Sequence, residues 1–367
     1  MINFKNDYNS PGHPAILKAV ADAADSKFPG YGTDEATDRA KQKIAALIGS
    51  RGCDGIHFLP GGTQVNLTAV SAFLRPHEAV VAAGSSHVQM HETGAIEATG
   101  HRVLLTDSHT DAAALYLSSQ AEGASGAKGA PAAQGGKLTA DSVRRICEMH
   151  TDEHMVKPRL VYISQATELG GVYSLAELRA LREACDEHKL LLYMDGARLG
   201  VALTSPGVDM GLSDVAALCD AFYIGGAKNG LLFGEALVIS NEALGEDFRF
   251  IQKQRGGLLA KGFLLGIQFG ALFENDLFFK IARHANAMAA KLRAGLEGLG
   301  CSFLVASLTN QLFPVLRVEQ VAKLEENFLF ERWEHIGGDL AAVRFVTSWN
   351  TSEDDVDALI NTVASVL

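Results

Sequence analysis

The chain is short of sulfur chemistry. Its five cysteines, Cys53, Cys147, Cys185, Cys219 and Cys301, are scattered, odd in number and form no C-x-x-C pair. That argues against a disulfide framework and a structural zinc site, and it fits a reducing cytoplasm. Positive charge is also scarce: 32 Lys and Arg stand against 43 Asp and Glu, a net charge of −11. Nucleic acid and anionic membrane surfaces are poor partners for such a chain. Long hydrophobic runs are missing as well. The stretch 258–273 comes nearest, but Lys261 and Gln268 interrupt it, so it reads as a buried helix rather than a bilayer span. The opening MINFKNDYNSPGH is polar and has no signal-peptide core. No internal repeat is evident, and His13, His57 and His154 give no metal-ligand spacing.

What is present is a chain of 367 residues, 47% apolar, enough for one large domain and a smaller one. Short apolar runs alternate with helical patterns through the first 250 residues. Strands are expected at 55–60, 78–83, 103–106, 160–164, 190–195, 221–226 and 234–240. Helices are expected at 13–24, 35–48, 64–73, 139–149 and 174–188, with a further one carrying His91 and Glu92. This alternation predicts an α/β large domain with a mainly parallel sheet flanked by helices. The segment 118–137, rich in Gly, Ala and Ser, reads as a mobile loop. Beyond residue 250 the pattern predicts one helix over 248–268, interrupted at Gly256-Gly257, and a long helix over 276–298. Short strands near 303, 312–318 and 342–346 and helices over 319–326 and 353–367 complete a smaller α+β domain. The expected division is thus 1–250 and 251–367.

Chemistry concentrates at strand ends, where parallel sheets place their ligands. The run LLLYMDGARLG (190–200) ends in Asp195 and Arg198, and AFYIGG (221–226) ends at Lys228. The strand GIHFLP runs into Gly61-Gly62-Thr63 and a helix start. Such glycines let backbone N–H groups approach an anion, Thr63 adds a donor, and the helix N-terminus adds positive potential. The strand at 78–83 leads to His87. Each signal has an ordinary reading. The glycines form a tight turn, His87 is structural, Asp195 caps a turn beside Arg198, and Lys228 is a solvated lysine. In this order, however, they match the needs of pyridoxal 5′-phosphate (PLP). That cofactor takes a phosphate cradle, a flat face over its ring, an acid near the ring nitrogen, and a lysine for its aldehyde.

FLPGGTQVNL (58–67), the His87…Glu92 spacing, MDGARL (194–199), CDAFYIGGAKNG (219–230) and VRFVT (343–347) resemble the low-specificity threonine aldolases and β-eliminating lyases. These are PLP enzymes of the aspartate-aminotransferase superfamily, fold type I, and the resemblance spans nearly the whole chain. It implies Lys228 as the Schiff-base lysine, Asp195 as partner of the ring nitrogen, His87 stacked on the ring, and Gly62 and Thr63 on the phosphate. It also implies Arg198 and Arg344 on the substrate carboxylate, with Asn6 and Asp7 lining the substrate end. The implied activity is cleavage of a β-hydroxy amino acid at Cα–Cβ, threonine or allo-threonine giving glycine and acetaldehyde. Other PLP chemistry (β-elimination, racemisation, transamination) would use the same lysine and acid. A non-catalytic binding protein on the same fold is a third reading. No metal is implied. The expected partners are a small amino acid and further copies of the chain, in a dimer or tetramer with shared active sites. The chain departs from the family at Asn6, where Ser is usual, at Glu168, where a His faces the substrate hydroxyl, and at Leu259, where an Arg is common. Lys253, Arg255 and Lys261 stand near the last. Candidate bases for the hydroxyl proton are His87, Glu168 and an ordered water.

Overall fold

A computed structural model describes residues 1–50, 52–106, 113, 116–117 and 135–367. The loop expected at 118–137 lies almost wholly outside these residues. Fourteen strands occur among the described residues. The large sheet holds β2 (Ile56–Leu59), β3 (Glu78–Ala83), β4 (Val103–Thr106), β5 (Lys157–Ser164), β6 (Leu191–Asp195), β7 (Ala221–Gly225) and β8 (Glu235–Ile239). Their order is β2-β8-β7-β6-β5-β3-β4, with all strands running one way except β8. The architecture is therefore the expected α/β class. It carries one reversed strand that the uniform apolar pattern of EALVI did not reveal.

The strands are apolar on both sides because both faces are covered. Val161, Ile163, Leu192, Met194, Phe222 and Ile224 pack into one core cluster. Leu160, Tyr162, Leu191, Tyr193, Ala221 and Tyr223 pack into another, under the helix Gly62–Phe73. Period-two alternation thus sends three tyrosines from adjacent strands, and Asp195 with them, to the face that this helix covers. Asp34 caps the helix Glu35–Ile48, accepting from Thr37 N at 2.9 Å, and Gly49 at φ 73° closes it. Ser174 and Glu177 form a capping box on Leu175–Glu187.

The remaining strands are β1 (Ile2–Asn3), β9 (Ser302–Phe303), β10 (Gln311–Leu312), β11 (Pro314–Arg317), β12 (Phe328–Leu329), β13 (Glu331–Gly337) and β14 (Leu340–Val346). A smaller antiparallel sheet runs β10-β14-β11-β9, with β13 also on β14. The N-terminus contributes β1, parallel to β12. The helix Leu277–Gly298 joins the two regions. Phe278 and Ile281 pack with the large sheet, while Met288, Leu292 and Leu296 pack with Phe4, Phe345 and Leu359.

The break expected at Gly256-Gly257 is present: Gly256 takes φ +78° after the helix Phe248–Gln254, and the second helix, Phe263–Leu272, runs on past 268. Another helix differs from expectation. The helix expected to carry His91 and Glu92 is a single turn, His87–Met90. Thr93 and Gly94, at φ 54° and 71°, prevent its continuation. Strands β12 and β13 were not expected. Half-exposed and rich in charge, β13 (ERWEHIG) lacks the apolar run by which the large-sheet strands announce themselves.

Candidate active site

Two glycine turns bring the lysine and the acid together. Gly225 N donates to Gly196 O at 2.9 Å. A Cβ on Gly196 would overlap the Tyr223 carbonyl, and one on Gly225 would overlap Ala197. The ends of β6 and β7 therefore meet backbone against backbone, which only glycine allows here. Asn229 Nδ2 closes the lysine turn on Gly225 O at 2.7 Å. Lys228 sits in the one-turn 3₁₀ helix Ala227–Asn229 that follows β7. It is half-buried and has no hydrogen bond or ion pair among the described residues. Burial, and then the charge of Arg198, push its ammonium down from the ordinary lysine range.

Asp195 is buried and accepts four hydrogen bonds. Tyr162 Oη donates at 2.5 Å and Asn66 Nδ2 at 3.2 Å to one oxygen; Tyr223 Oη at 2.5 Å and Ala197 N at 3.0 Å donate to the other. Burial alone would raise its pKa, but the charge of His87 and the tyrosine hydroxyls outweigh it and hold the acid low. Asn66 bridges two carboxylates, because its Nδ2 also donates to Glu92 Oε1 at 2.8 Å, while Tyr193 Oη donates to its Oδ1 at 2.9 Å. Glu92 in turn bonds His87 Nδ1 at 2.9 Å. That bond and the charge of Asp195 raise the His87 pKa against the opposing effect of burial. The ligand atoms of His87, Glu92 and Asp195 lie within 4.8 Å of one another. The donors already on both carboxylates mark the cluster as a hydrogen-bonded network rather than a bare cation site.

Gly62 opens the helix Gly62–Phe73, which no side chain caps. A side chain at Gly62 would press on the Tyr223 hydroxyl, so the helix start lies directly over the Asp195 network. Thr63 is exposed beside it. Of the basic residues near Leu259, Arg255 comes nearest to this helix through the chain: Gln64 Nε2 donates to Arg255 O at 2.8 Å, and Arg255 Nε is buried without a partner. Lys253 lies over the Tyr31 ring at 4.4 Å, and Lys261 is exposed. Glu168, buried, accepts from Ser164 Oγ at 2.8 Å and from His87 N at 3.0 Å. Burial raises its pKa above the usual carboxylate range.

Asp7 and Arg198 are found on each other. Arg198 Nε and Nη2 clamp the Asp7 carboxylate at 2.7 and 3.0 Å, and Asn310 Nδ2 adds a third bond at 2.9 Å. This geometry gives Asp7 the role of an anchor for the guanidinium. Arg344 pairs with Glu331 across the β13–β14 ladder, lies 4.9 Å from the Trp333 ring, and keeps a buried Nε free. Burial and the nearby Arg198 charge push its pKa down. Asn6, half-buried, accepts from Tyr8 N at 3.1 Å.

Several residues of this network were not singled out from sequence as site residues: Tyr162, Tyr223, Asn66, Glu92, Asn310 and Glu235. Glu235 is buried at the start of β8 and accepts from Gly226 N at 2.6 Å, bracing the lysine turn from below. An acid opening an apolar strand was the one signal that could have found it.

The arrangement defines a class before it defines a family. The fold is shared with a single mutant of aspartate aminotransferase from Thermus thermophilus, at a TM-score of 0.71 and 16% identity over 100% of this chain and 92% of that one. The chain itself belongs to the beta-eliminating lyase family, whose profile matches residues 3–319. It is 30% identical over 370 residues to a low specificity L-threonine aldolase of Pseudomonas aeruginosa, covering 99% of this chain and 97% of the relative. A second such enzyme, from Escherichia coli K12, is 28% identical over 89% of this chain and 88% of its own length. The structure of a Leishmania major threonine aldolase superposes with a TM-score of 0.91 at 41% identity over 100% of both chains.

Proposed function

We propose that the protein is a PLP-dependent carbon–carbon lyase that cleaves L-threonine or L-allo-threonine to glycine and acetaldehyde. The observation that carries this reading is the convergence of Lys228, Asp195 and the uncapped helix start at Gly62, in a chain whose full-length relatives are named threonine aldolases. The residues fit the cofactor. Lys228 is an amine with no partner among the described residues and a depressed pKa, Asp195 is a carboxylate whose pKa is held low, and no side chain among the described residues caps the helix Gly62–Phe73. PLP, when bound, supplies an aldehyde that condenses with an amine and a ring that takes up the electron pair of a broken bond to Cα.

The protein's own groups do the rest. Lys228 would hold the cofactor through its aldehyde, its depressed pKa keeping the amine available for that bond. Asp195 would keep the ring nitrogen protonated, and that N–H would compete for the carboxylate with the four donors already on it, of which Asn66 at 3.2 Å is the longest. Gly62, Thr63 and Arg255 take the phosphate. His87 would face the ring, with Glu92 fixing its Nδ1. Arg198, buried, and Arg344, half-buried, disfavour each other's charge and would flank the place of the substrate carboxylate, with Asn6 lining that end. An anion between the two guanidiniums relieves their repulsion. Glu168 is the base for the β-hydroxyl proton: it is buried beside His87, and burial raises its carboxyl pKa, which strengthens it as a proton acceptor.

The test is aldehyde release from both threonine diastereomers by the PLP-loaded protein. Absence of turnover with any β-hydroxy amino acid defeats the lyase reading. Lys228→Ala should abolish both turnover and the absorption band of lysine-bound cofactor; a band that survives defeats the lysine assignment. Glu168→Gln should lower kcat by about 10²-fold or more while leaving that band intact, and an unchanged rate returns the base to His87 or water. The family's description favours β-elimination as a second reading, tested by release of ammonia and pyruvate from serine. We also propose a homo-oligomer, with Tyr8, Tyr31 and Phe250 among the exposed apolar residues available to a second copy. Sedimentation equilibrium decides it.

A further inference from the structure

Away from the lysine site, at the outer edge of β2, three basic side chains line one small cavity of about 20 Å³: Lys41, His57 and Arg249. β2 is the last strand of the large sheet on this side. The cavity is closed by the helix Glu35–Ile48 and by the two helices that the Gly256 break separates. Its charges are uncompensated. Among the described residues, neither Lys41 nor Arg249 has an ion-pair partner, and the guanidinium makes one bond, to the Tyr31 carbonyl at 3.3 Å. Asp38 and Asp54 lie in the neighbourhood of Lys41. Even so, burial and the Arg249 charge leave its ammonium pushed down rather than up.

His57 is the second, independent observation. It is 6% exposed, its ring stacks obliquely on Phe248 at 4.6 Å, and neither ring nitrogen has a hydrogen-bond partner among the described residues. The ring nitrogens are not among the buried unpartnered atoms, so they reach the space of the cavity, where water or a solute satisfies them. Burial, then Lys41, then Arg249 push its pKa down to about 3, so it stays neutral and offers a ring N–H. The opposing feature is Gln252. Its Nε2 is used on Phe58 O at 2.8 Å, while its buried Oε1 is left without a donor, as a water molecule would suit.

We propose that this cavity binds a small inorganic anion of halide size. Two cations without ion-pair partners among the described residues and the N–H of a neutral imidazole supply the donors, against two acceptors, the other imidazole nitrogen and Gln252 Oε1. The volume exceeds the 10–15 Å³ or so that one water needs, yet it leaves no room for an organic acid. The site is independent of the lysine chemistry. Its occupant would pin the segment 249–262 against the sheet edge, the same segment whose Arg255 carbonyl holds Gln64 at the start of the cradle helix.

Bromide-soaked crystals test the assignment directly. An anomalous peak bounded by Lys41 and His57 supports it; no peak, or a water unaffected by bromide, overturns it. In solution, chloride should raise the melting temperature over gluconate at equal ionic strength. Arg249→Gln, an exposed substitution that leaves the core intact, should weaken the chloride dependence about tenfold, the size of one lost charge-assisted bond. Lys41→Met should remove it and Lys41→Arg should keep it. A chloride response unchanged in both Arg249→Gln and Lys41→Met defeats the proposal.

Discussion

His57 carries a consequence for acid stability that its position alone sets. Its folded-state pKa lies near 3, below the ordinary 6.5, first because of burial. The unfolded chain therefore takes up a proton that the folded chain refuses, and stability falls as pH drops from about 6.5 towards 3. One such group gives a slope of about 1.4 kcal/mol per pH unit. Urea midpoints of the wild type and His57→Gln, compared between pH 6 and pH 4, should converge as the pH falls. The residues that hold Asp195 show what sequence hides at this scale. Asp195 and Lys228 stand out as charges at the ends of apolar runs. Tyr162, Tyr193 and Tyr223 do not, because inside such runs a tyrosine looks like any core residue. Their hydroxyls acquire a role only through the lateral register of three strands, with Tyr162 opposite Tyr193, and pairing register is not written in any one strand. Glu92 was visible as a spacing to His87, yet its bond to His87 depends on the left-handed Thr93–Gly94 break.

Among the elements, the paired turns Asp195–Arg198 and Gly225–Lys228 decide whether a site exists. Gly196→Ala puts a methyl group into the Tyr223 carbonyl, and no flexible side chain is there to yield. We expect a loss of about 1–3 kcal/mol in denaturant unfolding, together with a drop in PLP affinity measured by absorbance titration. Gly211→Ala, whose added methyl group meets nothing nearer than 3.9 Å, serves as the control. The elements themselves were largely legible, since a sheet covered on both faces leaves continuous apolar runs. The reversal of β8 was not. A buried strand reads the same in either direction, and only the short connection from β7 hinted at a return. The reversal matters to the site, because it lays Glu235, the first residue of β8, beside Gly225 and under the lysine turn.

At the scale of the molecule, Asp7 ties three regions. It comes from the N-terminal segment, binds Arg198 at the end of the large sheet, and receives Asn310 from the smaller one. Asp7→Asn leaves a buried guanidinium without its counter-charge and should cost about 3–5 kcal/mol of stability at pH 7. Threonine KM should rise as Arg198 loses its aim. Burial works against the Asp7 charge but Arg198 and Asn310 prevail, so its pKa lies below 3.8. The contribution of Asp7 is therefore complete above pH 4 and lost as pH falls through that lowered value. Thermal melts of the two proteins should differ most at neutral pH and least in strong acid. The division of the chain expected at residue 250 can be refined on the same scale. We propose that it falls inside the helix Leu277–Gly298, whose first turns pack with the large sheet and whose last turns pack with the smaller one. Helical periodicity gives the length of such a helix but not the partner of each turn.

The pairing of β1 with β12 gives the first dozen residues a mechanical office. They are a strap, fastened by two strand residues to β12, with which they form a separate two-stranded pair, and by one carboxylate to Arg198 at the end of the large sheet. A fusion tag that strains this strap, or a protease that cuts at the Ser10–Gly12 turn, would leave both cores packed while slackening Arg198, the arginine proposed above to hold the substrate carboxylate. Affinity handles for this protein therefore belong at its other end, where the helix Glu353–Val366 packs through Val356, Leu359 and Val363 onto the core of the smaller region.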